Sequence, residues 1–331
     1  MANPPRSSTE SPPALLKIVE PQLLATEGYL LEVVTSDFPF VSVLAQHLVR
    51  AGGKRLRVAL TFLASRFGDR DAEREEDVRK LAAAIELTHL ATLHHDDIID
   101  EADKRHGVPS VNANWTNTLA VLSGDYLFAK SSQLAAEVGG EVPRALAETI
   151  AALCEGQIKE IEAAFRTDRS PEEYLKVIER KTARLLSAAS YLGARVGGAD
   201  VALAEQLRTY ATDFGMAYQL VDDLLDLLGD EGVIGKPVGT DIKEGVYTLP
   251  LLHGMEHRAD VAEMVTSRSD LGSLVKVLHE TGSFGYARGV AEEYAEKAMD
   301  SVMALPECSE RDCLEALVEF VVARIPVSSA A

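Results

Sequence analysis

Cysteine, aromatic residues and basic charge are all scarce in this chain of 331 residues. Its three cysteines, Cys154, Cys308 and Cys313, are too few and too scattered for a disulfide framework or a zinc site, so we expect a reducing, cytoplasmic compartment. The net charge of −19 argues against a nucleic-acid-binding protein, which usually carries a basic face. No run of about 18 apolar residues occurs, so we expect no transmembrane segment.

Strand-type alternation of branched apolar residues is also nearly absent. Alanine- and leucine-rich segments with helical periodicity fill most of the chain, including 74–102, 171–197 and 201–229. We therefore predict an all-α fold in a single large helical bundle. Residues 1–14, rich in proline and serine, are predicted as a disordered tail, and 15–331 as one domain. The glycine-rich stretch 229–245 is predicted as a long functional loop.

Two aspartate clusters share the spacing D-D-x-x-D, one at Asp96, Asp97 and Asp100 and the other at Asp222, Asp223 and Asp226. On a helix, residues four apart lie on one face, so the first and last aspartates of each cluster converge. Carboxylates this close repel one another unless cations lie between them. Oxygen ligands with little histidine or cysteine favour Mg²⁺. One such motif is equally compatible with a solvated helix end, but its duplication inside apolar helices favours metal binding.

Basic residues accompany both clusters. Lys54 and Arg57 follow the Gly52-Gly53 turn and share a face at the start of a predicted helix, where the helix dipole favours an anion. Three further cations are Arg105, Lys181 and Lys236. Each alone is compatible with an ordinary solvated position. Beside carboxylate centres they indicate a phosphate-rich ligand, because Mg²⁺ bridges carboxylates to phosphates while lysine and arginine bind the remaining oxygens.

The motifs together resemble those of the trans-isoprenyl diphosphate synthases (polyprenyl synthetases) of the medium- and long-chain type. They follow the family's order from about residue 20 to 325: G-G-K-x-x-R from Gly52, H-D-D-x-x-D from His95, G-D-Y-L from Gly124, K-T at Lys181, Q-L-V-D-D-x-x-D from Gln219, G-K-P-x-G-T-D-I from Gly235 and T-L-P from Thr248. The resemblance implies a helical bundle around a deep central cavity and a homodimer. It also implies Mg²⁺-dependent, head-to-tail condensation of isopentenyl diphosphate with an allylic diphosphate to give an all-trans polyprenyl diphosphate.

The resemblance also implies a role for each matching residue. The ligands of three Mg²⁺ ions would be Asp96, Asp100 and Asp222, supported by Asp97, Asp223 and Asp226. The groups that bind the allylic diphosphate would be Arg105, Lys181 and Lys236, and those near the reacting carbons Thr182 and Gln219. The isopentenyl diphosphate pocket would contain Lys54, Arg57 and His89.

The chain departs from the family pattern at two positions. His106 stands where a second arginine usually contacts isopentenyl diphosphate, and Val246 stands in place of a lysine. If His106 is in the site, its protonation below pH 7 is expected to restore part of the lost charge. Neither change affects the metal ligands.

The family's farnesyl types carry an aromatic residue four or five positions before the first aspartate. Here these positions hold Thr92 and Ala91, both small, so we predict a product longer than farnesyl. A geranylgeranyl or farnesyl synthase and a non-catalytic partner subunit of a heteromeric synthase stay open as alternatives. A class I terpene cyclase and an HD-type phosphohydrolase, suggested by His94-His95-Asp96, explain fewer of the motifs.

Overall fold

The computed structural model describes residues 14–69, 72–229, 238–267 and 270–326. A 3₁₀ turn at Ala14–Val19 precedes the helices α1 Glu20–Val33, α2 Pro39–Ala51, α3 Leu56–Ser65, α4 Ala72–Ile99, α5 Val111–Asn114, α6 Asn117–Val138, α7 Val142–Glu162, α8 Pro171–Ile178, α9 Arg184–Val196, α10 Val201–Leu228, α11 Thr240–Glu244, α12 Leu249–His257, α13 Ala259–Thr266, α14 Leu271–Glu280, α15 Ser283–Met303 and α16 Ser309–Ala323. The predicted all-α fold is confirmed. Of the predicted tail, only Ala14 lies inside the described residues.

Two helix starts that matter for the site are fixed by local capping. The Ser170 side chain accepts from the backbone N–H of Glu173, and the Glu173 side chain accepts from the backbone of Ser170, so α8 begins at Pro171. The Asp200 side chain accepts from the Leu203 N–H at 2.8 Å and starts α10. Both caps are readable in the sequence because they need only short-range partners.

The core forms around two long helices. α4 packs against α6 and α3, and α10 packs against α15 and α9. Buried apolar residues from Leu16 to Val321 form one continuous cluster around them. No helix in the described parts of the chain is long and apolar enough to cross a membrane.

The predicted helix 171–197 is interrupted, and this differs from the sequence prediction. Between α8 and α9, residues Glu179–Ala183 form a π turn that carries Lys181 and Thr182. Gly156 of α7 lies against this turn, and a Cβ there would be 3.0 Å from the Lys181 backbone nitrogen. The close approach of α7 therefore depends on glycine. A π turn contains about one residue more than an α-helical turn, and the spacing of apolar residues in the sequence does not reveal that extra residue.

Two other segments depart from the predicted boundaries. α4 ends at Ile99 rather than 102, and a short antiparallel hairpin follows, pairing Lys104 with Pro109 and Arg105 with Val108. His106 and Gly107 form its turn with φ of 51° and 79°. The predicted loop 229–245 contains the short helix α11, whose approach is fixed by the Gly239 N–H donating to the Asp226 carbonyl at 2.7 Å.

Candidate functional site

Half-buried residues recur on one face toward the C-terminal end of helix α4. Residues 81–88 are all buried, and the residues that follow at helical spacing are half-buried: His89, Thr92, Leu93, Asp96 and Asp100. On α10, Gln219 and Asp222 are half-buried beside the buried pair Leu220 and Val221. Most of the predicted site residues on these helices therefore keep some exposure to solvent.

The first aspartate cluster combines a buried ion pair with two accessible carboxylates. Asp97 is fully buried, and its Oδ1 accepts from two Arg105 nitrogens at 2.7 and 2.6 Å. Burial raises the pKa of Asp96 to about 6, an effect that the nearby Lys181 opposes and the negative charge of Asp100 reinforces. Burial thus penalises the charged form of Asp96 in the free site.

Lys181 faces the first cluster from the π turn and forms an ion pair with Glu160 of α7. Burial by itself would lower the pKa of Lys181, but Glu160, Asp96 and Asp100 together raise it. The ammonium group is therefore charged at neutral pH. Glu160 was not predicted from the sequence, because nothing in its helical pattern distinguishes it from a solvated glutamate.

The second cluster is organised by a chain of side-chain hydrogen bonds. Thr182 Oγ1 donates to Gln219 Oε1 at 2.9 Å, and Gln219 Nε2 donates to Asp223 Oδ1 at 2.8 Å. The Tyr174 hydroxyl donates to the other oxygen of Asp223. Asp223 is thus held from both sides, whereas Asp222 is half-buried and accessible.

Asp226 and Glu244 connect the second cluster to α11. Asp226 is buried, and its Oδ2 accepts from the Asp241 N–H at 3.4 Å. The pKa of Glu244 is raised by burial, by Asp100 and also by Asp226. Glu244 therefore lies within electrostatic reach of both clusters, which links them across the site. Lys236, also predicted here, lies outside the described residues.

The four residues predicted to bind isopentenyl diphosphate lie close to one another. Burial, together with Arg57 and His106, keeps the pKa of His89 well below its usual range, so this imidazole is neutral. Lys54 Nζ lies 3.4 Å from the Tyr218 hydroxyl, and Tyr218 also interacts electrostatically with Arg57. The arrangement presents two permanent cations beside a neutral imidazole.

Arg55 supports this pocket from beneath and was not predicted as a site residue. Its guanidinium donates to Glu86 Oε1 at 2.7 Å and to the Val49 carbonyl at 2.9 Å, and both charged side chains are buried. Arg55 itself has a φ of 49°, so the pair holds a strained turn between α2 and α3. The sequence does contain one signal for this ion pair, because Glu86 is a charged residue inside an alanine- and leucine-rich run that is otherwise apolar.

His106 packs on the glycine turn that precedes Lys54. Its ring bonds to the Gly52 backbone, and a Cβ on Gly53 would lie 3.4 Å from the ring carbon Cε1. Burial, with added effects of Arg105 and Arg55, lowers the pKa of His106. Burial above all, and then the two cations, therefore oppose the expected gain of a proton by His106 below pH 7.

The two positions linked to chain length differ in their surroundings. Ala91 is fully buried in the core. Thr92 is half-buried, lies one turn from Asp96 on the same face and donates to the His89 carbonyl at 2.7 Å. Thr92 is therefore the position that borders the accessible space.

The donor set suits a hard cation that keeps part of its water shell. Among the described residues, no three carboxylate, imidazole or thiolate groups converge closely enough to hold a metal by themselves. Asp96 and Asp100 lie at the end of α4 and Asp222 lies on α10, and burial penalises the charge of the first two. Mg²⁺ fits this pattern, because it binds through one or two carboxylates, waters and substrate phosphates.

Comparison with known proteins agrees with this geometry. Residues 39–279 match the family model described as polyprenyl synthetase. The chain is 36% identical over 316 residues to heptaprenyl diphosphate synthase component 2 of Geobacillus stearothermophilus, covering 93% of this chain and 97% of that protein. It is 38% identical over 312 residues to nonaprenyl diphosphate synthase of Mycobacterium tuberculosis, covering 92% and 90%.

A solved structure shares the fold. The polyprenyl synthase of Caulobacter crescentus CB15, complexed with calcium and isoprenyl diphosphate, superposes with a TM-score of 0.87 at 32% identity, covering 97% of this chain and all of that one. The family resemblance of the motifs is therefore confirmed. The chain belongs to the polyprenyl synthetase family and is a prenyltransferase, a trans-isoprenyl diphosphate synthase of the medium- and long-chain type.

Proposed function

We propose that this single-domain enzyme condenses isopentenyl diphosphate head-to-tail with an allylic diphosphate, at the site between α4 and α10, and releases an all-trans polyprenyl diphosphate longer than farnesyl. One observation carries the assignment of the site: Glu244 lies within electrostatic reach of Asp100 in the first cluster and Asp226 in the second, and Lys181 lies beside the first cluster. Relatives named for heptaprenyl and nonaprenyl products support the longer chain.

Three Mg²⁺ ions, held by Asp96, Asp100 and Asp222, would supply positive charge against the departing diphosphate. Asp97, Asp223 and Asp226 support these ligands from buried positions. Arg105 is already fixed by Asp97 and Lys181 by Glu160, so both can bind phosphate oxygens without reorganising. Lys236 completes this group by its position in the family motif.

The remaining residues bind and orient the second substrate. Lys54 and Arg57 supply positive charge for isopentenyl diphosphate, while neutral His89 and His106 supply directed hydrogen bonds. Thr182 and Gln219, bonded to each other, lie where the two carbon chains meet. The apolar surroundings exclude water from the allylic cation, and the released diphosphate accepts the proton that is lost.

The homodimer is proposed to form through α7. Exposed residues recur along one face of this helix at spacings of three and four: Ala151, Cys154, Ile158 and Ile161. Ile158 is 65% exposed, which is costly for a monomer in water. A second possibility, a two-component enzyme, is favoured by the component-2 names of two relatives. A cytoplasmic location is proposed because all three cysteines are free thiols.

A product assay tests the proposal. The purified chain is incubated alone with isopentenyl diphosphate, Mg²⁺ and each allylic primer, and products are measured by mass spectrometry. Polyprenyl diphosphates longer than farnesyl are expected from the chain alone, and none after chelation of the metal. Absence of product until a second protein is added would instead support the two-component enzyme.

Sedimentation of Ile158→Glu, with Val322→Glu as an exposed control on α16, tests the dimer face.

A further inference from the structure

The loop between α7 and α8 ends in a buried arginine that none of the motifs includes. Arg169 is 5% exposed, and one of its terminal nitrogens is shielded from solvent without a hydrogen-bond partner among the described residues. No carboxylate in those residues lies within ion-pair distance of it. A buried guanidinium with an unpaired nitrogen and no carboxylate partner lowers the stability of the fold, so its presence here calls for an explanation.

The guanidinium of Arg169 lies over the ring of Tyr174, 5.4 Å from the ring centroid. Tyr174 is itself 2% exposed, and its hydroxyl donates to Asp223. A cation over a phenol ring withdraws electron density from it and makes the hydroxyl a stronger donor. The charge of Arg169 can therefore reach the second aspartate cluster through one side chain.

The backbone on both sides of Arg169 is fixed. Phe165 donates its N–H to the Gly245 carbonyl at 2.9 Å, and its ring occupies the space above Gly245. Ser170 is the N-cap of α8. Arg169 also interacts electrostatically with Glu160, the partner of Lys181. Arg169 is thus held in place by its neighbours in the chain, within electrostatic reach of the carboxylate that pairs with Lys181.

We propose that Arg169 is a positioning residue for the second aspartate cluster, acting through Tyr174 on Asp223 and thereby strengthening the binding of metal together with diphosphate. The inference rests on the proposed function, because it assumes that this cluster binds a metal–diphosphate complex. Asp223 accepts from Gln219 on one oxygen and from Tyr174 on the other, so a weaker bond from Tyr174 loosens one side of the carboxylate.

The test measures binding without turnover. Titration calorimetry follows Mg²⁺ binding in the presence of inorganic pyrophosphate for wild type, Arg169→Met, Arg169→Lys, Tyr174→Phe and the Met/Phe double variant. A buried cation–π contact predicts about a tenfold loss of affinity for Arg169→Met. Tyr174→Phe is expected to lose a similar factor, the double variant no more than either single one, and Arg169→Lys clearly less.

Arg166→Met is the matched control, because Arg166 lies in the same loop but is exposed and paired with Asp168. It should bind like wild type. Full additivity of the two single losses, or wild-type affinity in Arg169→Met, would overturn the role of Arg169 while leaving the proposed function intact. Failure of the wild type to bind Mg²⁺ with pyrophosphate would overturn both. If Arg169→Met does not fold, the comparison of Arg169→Lys with Tyr174→Phe decides, since equal losses in these two contradict the proposal.

Discussion

Replacing His106 with arginine tests how this chain recognises isopentenyl diphosphate. In wild type the imidazole is bonded to the Gly52 backbone, and burial, Arg105 and Arg55 lower its pKa. The group therefore binds a proton less readily than a free imidazole does. We expect the wild-type KM for isopentenyl diphosphate to show no improvement attributable to His106 as the pH falls through this range.

The arginine variant gains a permanent charge and a two-pronged donor. A charge-assisted hydrogen bond contributes about 1.5–3 kcal/mol. Repulsion from Arg105 and Arg55, and loss of the bond to Gly52 at about 1 kcal/mol, reduce that gain. Subtracting the Gly52 bond leaves about 0.5–2 kcal/mol, and repulsion reduces this to about 1 kcal/mol, which corresponds to about a fivefold lower KM for isopentenyl diphosphate. The KM for the allylic substrate should stay unchanged.

Steady-state kinetics at saturating Mg²⁺ and allylic primer, from pH 6 to 8, measure this effect. His257→Arg, at an exposed position on α12, controls for added charge. A wild-type KM that falls several-fold toward pH 6, and a flat one in His106→Arg, would show that His106 does gain a proton and refute the electrostatic reasoning. An unchanged KM in His106→Arg at all pH values would mean that His106 does not contact the substrate.

Three further predictions concern stability and product length. Asp96→Asn should abolish turnover yet stabilise the metal-free protein at pH 7.5 by up to about 3 kcal/mol, because the folded-state pKa is about 6 against 3.8. The folded state binds the proton more tightly than the unfolded state, so this gain in stability is full above pH 6 and declines toward pH 4. Melting curves should therefore show a larger gain at pH 7.5 than at pH 5, and identical gains at the two pH values would contradict the prediction. Thr92→Phe should shorten the product, as seen by mass spectrometry, whereas Ala91→Phe should chiefly cost about 1–3 kcal/mol by overpacking the core. Glu86→Gln should lower the free energy of unfolding in urea by about 1.5–3 kcal/mol, because it removes the nearest charged partner of buried Arg55 and leaves Glu27 at 3.7 Å; an unchanged free energy of unfolding would mean that the remaining partners of Arg55 suffice.

The helices and the two aspartate clusters could be predicted because their signals are local. The apolar period along 74–102 and 201–229 and the four-residue spacing of the aspartates depend only on neighbours within one helix. The caps at Ser170 and Asp200 follow the same rule. For this reason the fold class and family were readable before any tertiary contact was known.

Other parts of the site depend on contacts between residues far apart in sequence. Tyr174 reaches Asp223 across 49 positions, and Arg55 reaches Glu86 across 31. The π turn that presents Lys181 exists where α7 approaches at Gly156. No period or motif encodes such pairings, because each arises only when two helices pack.

The sequence by itself thus determined an all-α prenyltransferase with two acidic clusters and a set of cations, since composition, spacing and motif order carry that information. Only the tertiary structure decided which charges are balanced. It fixed Arg105 on Asp97, Lys181 on Glu160 and a neutral His106 between two arginines. The physical reason is that the charge state of a buried group depends on its solvation and on nearby charges in space, which are distant in the chain.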